Sequence, residues 1–430
     1  MKRRDFLTSS AVAAAGLGSV SEASVFSLFG KKKKSLNDKL NIGVIGVNHR
    51  GGANLNGVAG ENIVALCDVD QSYLAAAGER FPGARTYTDY RRLLDQKDLD
   101  AVVISTPDHS HAVIASHAFD EDLHVYCEKP LTHTVSEARY LSAKATRKGL
   151  ATQMGNQIHA GTNYRRVVEE IQSGSIGKVR EVHVWVGKVH LAQPYPEEII
   201  KAPDNVDYDL WLGPVAYRPY NPQYLPKTWR DWWHFGGGTL ADFGCHYMDL
   251  PHWALSLGHP FLVESEGPAA HPEGPPPWQK VTYRFPERGD LPPVTMIWYQ
   301  GEKRPPHFDE GILPKWGNGV LFVGDEGLLL ADYNKYRLLP EDRFEDHTPP
   351  IPFIPDSIGH HAEWIQACKT GGSTTCNFNY GAALTENVLL GNVSHRIGQP
   401  IHWDAVNMEA SNTPDAEQFI HHQYRKGWKL

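Results

Sequence analysis

The sequence is poor in cysteine. It has five in 430 residues, Cys67, Cys127, Cys245, Cys368 and Cys376, widely spaced and without a C-x-x-C pair. That excludes a disulfide framework and a cysteine zinc site. The thiols are expected to be buried as small apolar groups. A basic excess is missing too. With 42 Lys+Arg against 50 Asp+Glu the net charge is -8, the wrong sign for a nucleic-acid binder with its basic face. No internal repeat is visible, and no apolar run is long enough to cross a bilayer as a helix. With 41% hydrophobic and 21% charged residues, the chain can bury a sizeable core in two or three domains.

The N-terminus reads as a targeting segment. Lys2-Arg3-Arg4-Asp5-Phe6-Leu7 precedes a small apolar run from Ala11 to Val20. This is a basic n-region followed by an h-region too short for a membrane span. Adjacent arginines before Phe-Leu resemble a twin-arginine signal, and Ser21-Glu22-Ala23 is a weak cleavage site. Export, to the periplasm or beyond, is the expectation. Lys31 to Lys34 then forms a charged linker. Residues 1–38 are thus signal and linker, 39–158 a nucleotide-binding domain, and 159–430 a substrate domain.

From Leu40 the chain alternates strands and helices. Leu40 to Val47 is a β-rich apolar run leading into Asn48-His49-Arg50-Gly51-Gly52. A helical stretch follows, then a strand from Asn62 to Cys67 that ends in Asp68. This is a βαβ unit with a dinucleotide fingerprint in its proper context. Gly46 takes the tight turn, and Gly51 permits close packing of helix on strand. Asp68, about 20 residues on, is placed to bond a ribose hydroxyl, and its charge favours NAD over NADP. The middle glycine of the fingerprint is missing; Asn48 stands there, a residue that tolerates left-handed backbone. Further strands are predicted at Arg85 to Thr88, Asp100 to Thr106, Leu123 to Cys127 and Leu150 to Met154. Such alternation implies a parallel, doubly wound sheet.

Ligands of such sheets bind at the C-terminal edge of the strands. Three polar clusters fall there: Thr106-Pro107 with His109 after it, Glu128-Lys129 before Pro130, and Asn156-Gln157. With Gly46, Asn48, Arg50, Gly51 and Asp68 they make the expected cofactor site. Thr134-Val135-Ser136-Glu137 is a capping box that opens the helix after Lys129, and Gly149 ends it.

After Lys178 the pattern changes. Long alternating runs at Val179 to Val189, Gln279 to Phe285, Val294 to Gln300, Gly319 to Gly324 and Gly327 to Leu330 predict a large, mostly antiparallel sheet. Helices at His360 to Lys369 and Tyr380 to Arg396 are expected to return to the first domain. Gly236-Gly237-Gly238 should start a helix bearing Asp242 and His246, four apart and so on one face. That pair can bind a hydroxyl and take its proton. A structural Asp–His pair has the same spacing, and with Asp249, on nearly the same face, and His252 the stretch also has metal-ligand chemistry. Trp185, Trp211, Trp229, Trp232 and Trp233 suit carbohydrate stacking, or simply a core.

These motifs resemble the glucose–fructose oxidoreductase / inositol dehydrogenase / rhizopine-catabolism family. The matching pieces are Gly43, Gly46 and Gly51; Cys67-Asp68-Val69-Asp70; Thr106-Pro107-Asp108-His109; Glu128-Lys129-Pro130-Leu131; and the run from Gly237 to His246. The resemblance covers most of the chain after residue 40, and the leader is similar to that of the family's secreted branch. It implies a Rossmann domain and an α+β domain with a large open sheet, often used for homo-oligomer contacts. It implies NAD(P)-dependent hydride transfer at a CH–OH carbon of a sugar or polyol. Lys129, Asp242 and His246 become the catalytic residues, with Lys129 touching substrate and nicotinamide, Asp242 holding the substrate and His246 as base. No metal is implied. For an exported enzyme, a tightly held and recycled NAD is the expectation. It leaves open a glycosidase that oxidises, eliminates, hydrates and reduces again, and a sugar–sugar oxidoreductase. A non-catalytic sugar-binding relative would not need all three residues.

Overall fold

A computed structural model describes residues 35–194 and 199–430. The twin-arginine stretch, its cleavage site and Lys31 to Lys34 lie outside the described residues.

The first sheet has six strands: β1 (Asn41–Ile45), β2 (Asn62–Cys67), β3 (Arg85–Tyr87), β4 (Ala101–Ile104), β5 (His124–Glu128) and β6 (Thr152–Gly155). Their order is β3-β2-β1-β4-β5-β6, and every pairing is parallel. The crossovers contain α1 (Arg50–Val58), α2 (Gln71–Arg80), α3 (Tyr90–Leu94), α4 (Asp108–Asp120) and α5 (Val135–Lys148). The central strands are apolar on both faces because both are covered. Ala101 and Val103 of β4 pack with Ile42 and Trp364 on one side, while Val102 and Ile104 face α4 and α5 on the other. The predicted capping box of α5 is present, and Gly149 ends it at φ 63.

α6 (Thr162–Gln172) leads to the second sheet. Its strands are β7 (Val179–Val186), β8 (Leu262–Glu266), β9 (Gln279–Phe285), β10 (Val294–Gln300), β11 (Gly319–Gly324), β12 (Leu328–Ala331), β13 (Tyr336–Leu339), β14 (Ile401–Asp404) and β15 (Glu409–Ala410). The order is β13-β12-β11-β7-β10-β9-β8-β14-β15. Only β7 and β10 pair in parallel. The short strands β8, β13, β14 and β15 were not foreseen. Each has five residues or fewer, too few for alternation to stand out.

Between β7 and β8 lie α7 (Tyr208–Leu212), α8 (Gly238–Tyr247) and α9 (Asp249–Ala254). α10 (His360–Thr370) and α11 (Phe378–Ile397) return to the first sheet as expected. α10 supplies Trp364 to the β1–β4 face. α11 packs on α5, and the Leu131 N–H donates to Thr385 Oγ1 (3.2 Å). One apolar cluster runs from Val125 and Cys127 through Leu384 and Val388 to Val182, Val281 and Met296, joining the two sheets. All five cysteines are buried, and none is in a disulfide.

Candidate active site

A cavity of about 630 Å³ lies along the C-terminal edge of the parallel sheet. Its floor comes from the loops after β1, β2, β4 and β5. Its roof comes from the irregular segment 203–230 and from α8.

The first loop is shaped by missing side chains. Gly46 has φ +80, and a Cβ there would meet the Ser105 carbonyl at 2.7 Å. A Cβ on Gly51 would lie 2.0 Å from the Gly46 carbonyl. Gly51 is therefore behind the loop, not on the cavity wall, and lets α1 begin against β1. The left-handed residue is not Asn48, as its place in the fingerprint suggested. It is His49, at φ 49 and ψ -112. Asn48 instead accepts the His49 N–H through Oδ1 (2.7 Å). Asn48, His49 and Arg50 thus bring the N-terminus of α1 to the cavity, where backbone N–H groups suit a phosphate.

Asp68, at the tip of β2, also lines the cavity. Its carboxylate accepts the N–H groups of Val47 and Asp70, both at 3.0 Å. Burial raises its pKa against those bonds. Glu128, the last residue of β5, anchors the other side. One of its oxygens accepts Arg50 Nε (3.0 Å), Asn54 Nδ2 (2.8 Å) and Gln157 Nε2 (2.8 Å). The glycine cradle, the helix N-terminus and the strand-terminal Asp68 form one continuous wall that fits a dinucleotide. Gly46, Asn48, Arg50, Asp68, Thr106, Pro107, Glu128 and Gln157 all stand on it.

Lys129 follows β5 and is 8% exposed. The Lys129–Pro130 peptide is cis. Its Nζ donates to Asp242 Oδ1 (2.7 Å) and to the Asp242 carbonyl (2.6 Å). Asp242 therefore does not face the cavity, as a substrate ligand would. It is a hub that also takes His190 Nε2 (3.1 Å) and Arg230 Nε (3.1 Å). Burial opposes its charge, but Lys129, His190 and Arg230 hold the carboxyl well below the usual carboxylate range. His190 in turn meets Asp231 through Nδ1 (2.7 Å). Burial disfavours the imidazolium, but the two carboxylates raise its pKa overall.

His246, one turn beyond Asp242 on α8, does reach the cavity. Its Nδ1 donates to Asn156 Oδ1 at 2.6 Å. Burial, reinforced by Lys129, pushes its pKa well below the ordinary value. A neutral ring that donates from Nδ1 to Asn156 keeps its Nε2 lone pair free. Asn156, expected among the cofactor contacts, is fully buried behind His246 and does not line the cavity.

His109 also needs correction. Its Nε2 lies 2.8 Å from the Trp211 carbonyl and its Nδ1 3.4 Å from that of Phe235. Burial lowers its pKa to about 4. It ties α4 to the second domain and does not line the cavity. Asp249 differs too: α8 stops at Tyr247 and α9 starts at Asp249, so the face shared with His246 is broken. Asp249 accepts His159 Nδ1 (3.0 Å) and the Tyr380 hydroxyl (2.5 Å). Among the described residues no three such side chains converge as metal ligands. Of the five tryptophans, Trp211 and Trp229 line the cavity. Trp185 is in an apolar cluster with Trp316 and Leu321, and Trp232 is fully buried. Trp233 is buried as well, donating Nε1–H to the His271 carbonyl (3.0 Å).

Asp108, His190, Arg230 and Asp231 were missed. Asp108 follows Thr106-Pro107, so the strand-end rule could have found it. His190 sits on an irregular segment and Arg230 and Asp231 in a single 3-10 turn, Thr228–Asp231, too short to show periodicity, so only the long-range contact marks them.

Two family models match the chain. One, an oxidoreductase family with an NAD-binding Rossmann fold, covers residues 40–156. The other, the C-terminal alpha/beta domain of the same family, covers residues 172–304. An inositol 2-dehydrogenase of Salmonella typhimurium is 30% identical over 164 residues, 37% of this chain and 48% of that protein. A dTDP-3,4-didehydro-2,6-dideoxy-alpha-D-glucose 3-reductase of Saccharopolyspora spinosa is 33% identical over 213 residues, 47% of this chain and 60% of that protein. The chain thus spans about half the length of the curated relatives it matches. Among solved structures, the WlbA dehydrogenase of Bordetella pertussis, in complex with NADH and UDP-GlcNAcA, has a TM-score of 0.61 at 17% identity, covering 85% of this chain and 99% of its own. A levoglucosan dehydrogenase in complex with NADH and levoglucosan has a TM-score of 0.57 at 18% identity, with 85% and 99% covered. At such identities these two show the fold alone. The family models match in chain order on the two sheets that form the cavity, and the chain belongs to the glucose–fructose oxidoreductase / inositol dehydrogenase / rhizopine-catabolism family of NAD-binding oxidoreductases.

Proposed function

We propose that this protein is an oxidoreductase that transfers a hydride between a CH–OH carbon of a sugar or polyol and the nicotinamide of NAD. The observation that carries this is that Lys129 and His246 line the same cavity as Asp68 and the glycine loop after β1. When bound, nicotinamide supplies the hydride acceptor or donor. The protein's residues do the rest. His246 Nε2 takes the hydroxyl proton, and Asn156 holds the ring in the tautomer that leaves Nε2 free. The Lys129 ammonium, aimed by Asp242, stabilises the alkoxide oxygen as charge develops on it. Asp242, His190 and Arg230 hold Lys129 in place; none of them has to move a proton for the reaction. Trp229 offers an apolar face to a sugar ring. The sugar and polyol enzymes among the relatives support this substrate class.

The cofactor is held as a resident group. The roof segment is fastened to the tip of the nucleotide-binding sheet. Gln71 N–H donates to the Asn205 carbonyl and Asp207 N–H to the Val69 carbonyl, both at 2.9 Å. Trp428 closes the far end beside Tyr90, with ring centroids 6.1 Å apart. A resident NAD suits an exported enzyme, and the twin-arginine leader supports export to the periplasm. The large open sheet supports a homo-oligomer.

The test is to purify the protein without added cofactor, release and quantify NAD(H), and incubate the protein with myo-inositol, aldoses and glycosides. Expected are bound NAD and sugar-dependent absorbance of NADH. Hydrolysis of a glycoside with no net NADH would instead make it an NAD-dependent glycosidase. Protein that neither binds NAD nor acts on any sugar would sink the proposal.

A further inference from the structure

Asp108 is the first residue of α4, on the cavity wall with Lys129, Arg230 and His246. It is 3% exposed. Every other polar side chain of its motif is used by the fold. His109 holds the Trp211 carbonyl, Ser110 donates to Thr106 Oγ1 (2.8 Å), and His111 spans the carbonyls of Thr106 and Pro130 (2.8 and 2.9 Å). Asp108 alone makes no side-chain hydrogen bond or ion pair among the described residues. Its cationic neighbours are already engaged, since Lys129 and Arg230 both bond Asp242. The Asp108 carboxyl opens onto the cavity with no protein partner there, so a ligand in the cavity can satisfy it.

We propose that Asp108 is a substrate contact, whose carboxyl hydrogen-bonds an oxygen of the bound sugar other than the hydroxyl that His246 deprotonates. The proposal rests on the sugar oxidoreductase reading above and adds a residue that determines which sugar fits. The groups facing Asp108 are Arg230, Lys129, Asp242 and His190. Burial pushes its carboxyl up to about 7, although Arg230 and Lys129 pull the other way. Near neutral pH the carboxyl therefore carries a proton part of the time and donates to the sugar oxygen. Affinity for the sugar should fall as pH rises through that value.

The experiment uses NAD-loaded full-length protein, with myo-inositol and D-glucose as probes. Binding is read from quenching of the cavity tryptophans Trp211 and Trp229, so no turnover is needed. In the wild type, affinity for the bound sugar should fall between about pH 6 and 8. Asp108→Ala should weaken it about tenfold at neutral pH, with NAD affinity unchanged. Asp108→Asn, whose amide donates at every pH, should keep the affinity and lose the pH dependence. Pocket quenching by neither sugar, a D108A protein that binds sugar as the wild type does, or equal loss of NAD binding would overturn the proposal. Failure of the parent reading is seen separately, as sugar binding without NADH formation.

Discussion

Lys129 Nζ and Asp242 Oδ1 lie 2.7 Å apart although 113 residues separate them. One stands at the end of a strand in the parallel sheet and the other on a helix beside the second sheet. Their bond joins the cofactor side of the cavity to the substrate side. It also holds the Lys129 ammonium in one place, so the proposed hydride transfer needs no ordering step there.

Lys129→Ala should lower turnover by about 10²- to 10³-fold, the scale of losing one preorganised stabilising charge. NAD binding should stay within twofold, an order-of-magnitude margin for a site reached through Asp68 and the α1 loop. Parallel titrations of NAD and of sugar-dependent rate check this. Unchanged turnover would move the chemistry elsewhere in the cavity.

Asn156→Leu should reduce turnover about tenfold, part of the ~10²–10⁴ that a positioned general base supplies. Without the Oδ1 acceptor the His246 proton is free to move to Nε2, the atom that must be empty. The rate and its pH profile should both change, whereas a purely structural Asn156 would alter only thermal stability.

Asp68→Ala should weaken NAD about ten- to a hundredfold, the loss of hydrogen bonds to a charged group. Discrimination against NADP should fall with it, because the repelling carboxylate is gone. Calorimetric titration with both cofactors decides. Equal NAD affinity in wild type and variant would remove the ribose assignment.

Asn205→Ala removes the side-chain bonds from the roof segment to Asp70 Oδ1 (2.9 Å) and Ser72 Oγ (3.2 Å). NAD release should quicken about fivefold, roughly the worth of one net hydrogen bond. Stopped-flow displacement of bound NAD measures it. An unaltered release rate would show that the roof does not gate the cofactor.

Acid should act through Asp242. Its folded-state pKa is depressed, so the stability it gives is fully present above the ordinary aspartate value and is lost as pH falls through the lower folded value. The wild-type melting temperature should therefore drop more steeply than that of Asp242→Asn below about pH 4. Parallel curves would mean that the Lys129, His190 and Arg230 contacts do not stabilise the charged form.

The sequence by itself determined the architecture and most of the cavity floor. Short apolar runs, separated by helix-length stretches, mark most of β1 to β6. The strand-end rule then puts Gly46, Asp68, Thr106, Lys129 and Gln157 on one edge, since parallel strands all end on the same side. The long strands β9, β10 and β11 were legible from another local signal, runs that alternate apolar and polar residues. Tertiary structure decided what each polar side chain faces. Asp242 and His246 share a helical face, yet one turns to Lys129 and the other to the cavity. A helix face is broad, and the groups packed against it choose the direction. His109 and Asn156 stand in the right motifs but are drawn into the interior by the Trp211 carbonyl and by His246. His190 entered the site from a loop and Arg230 and Asp231 from a single 3-10 turn, and no local spacing encodes where such short segments will land.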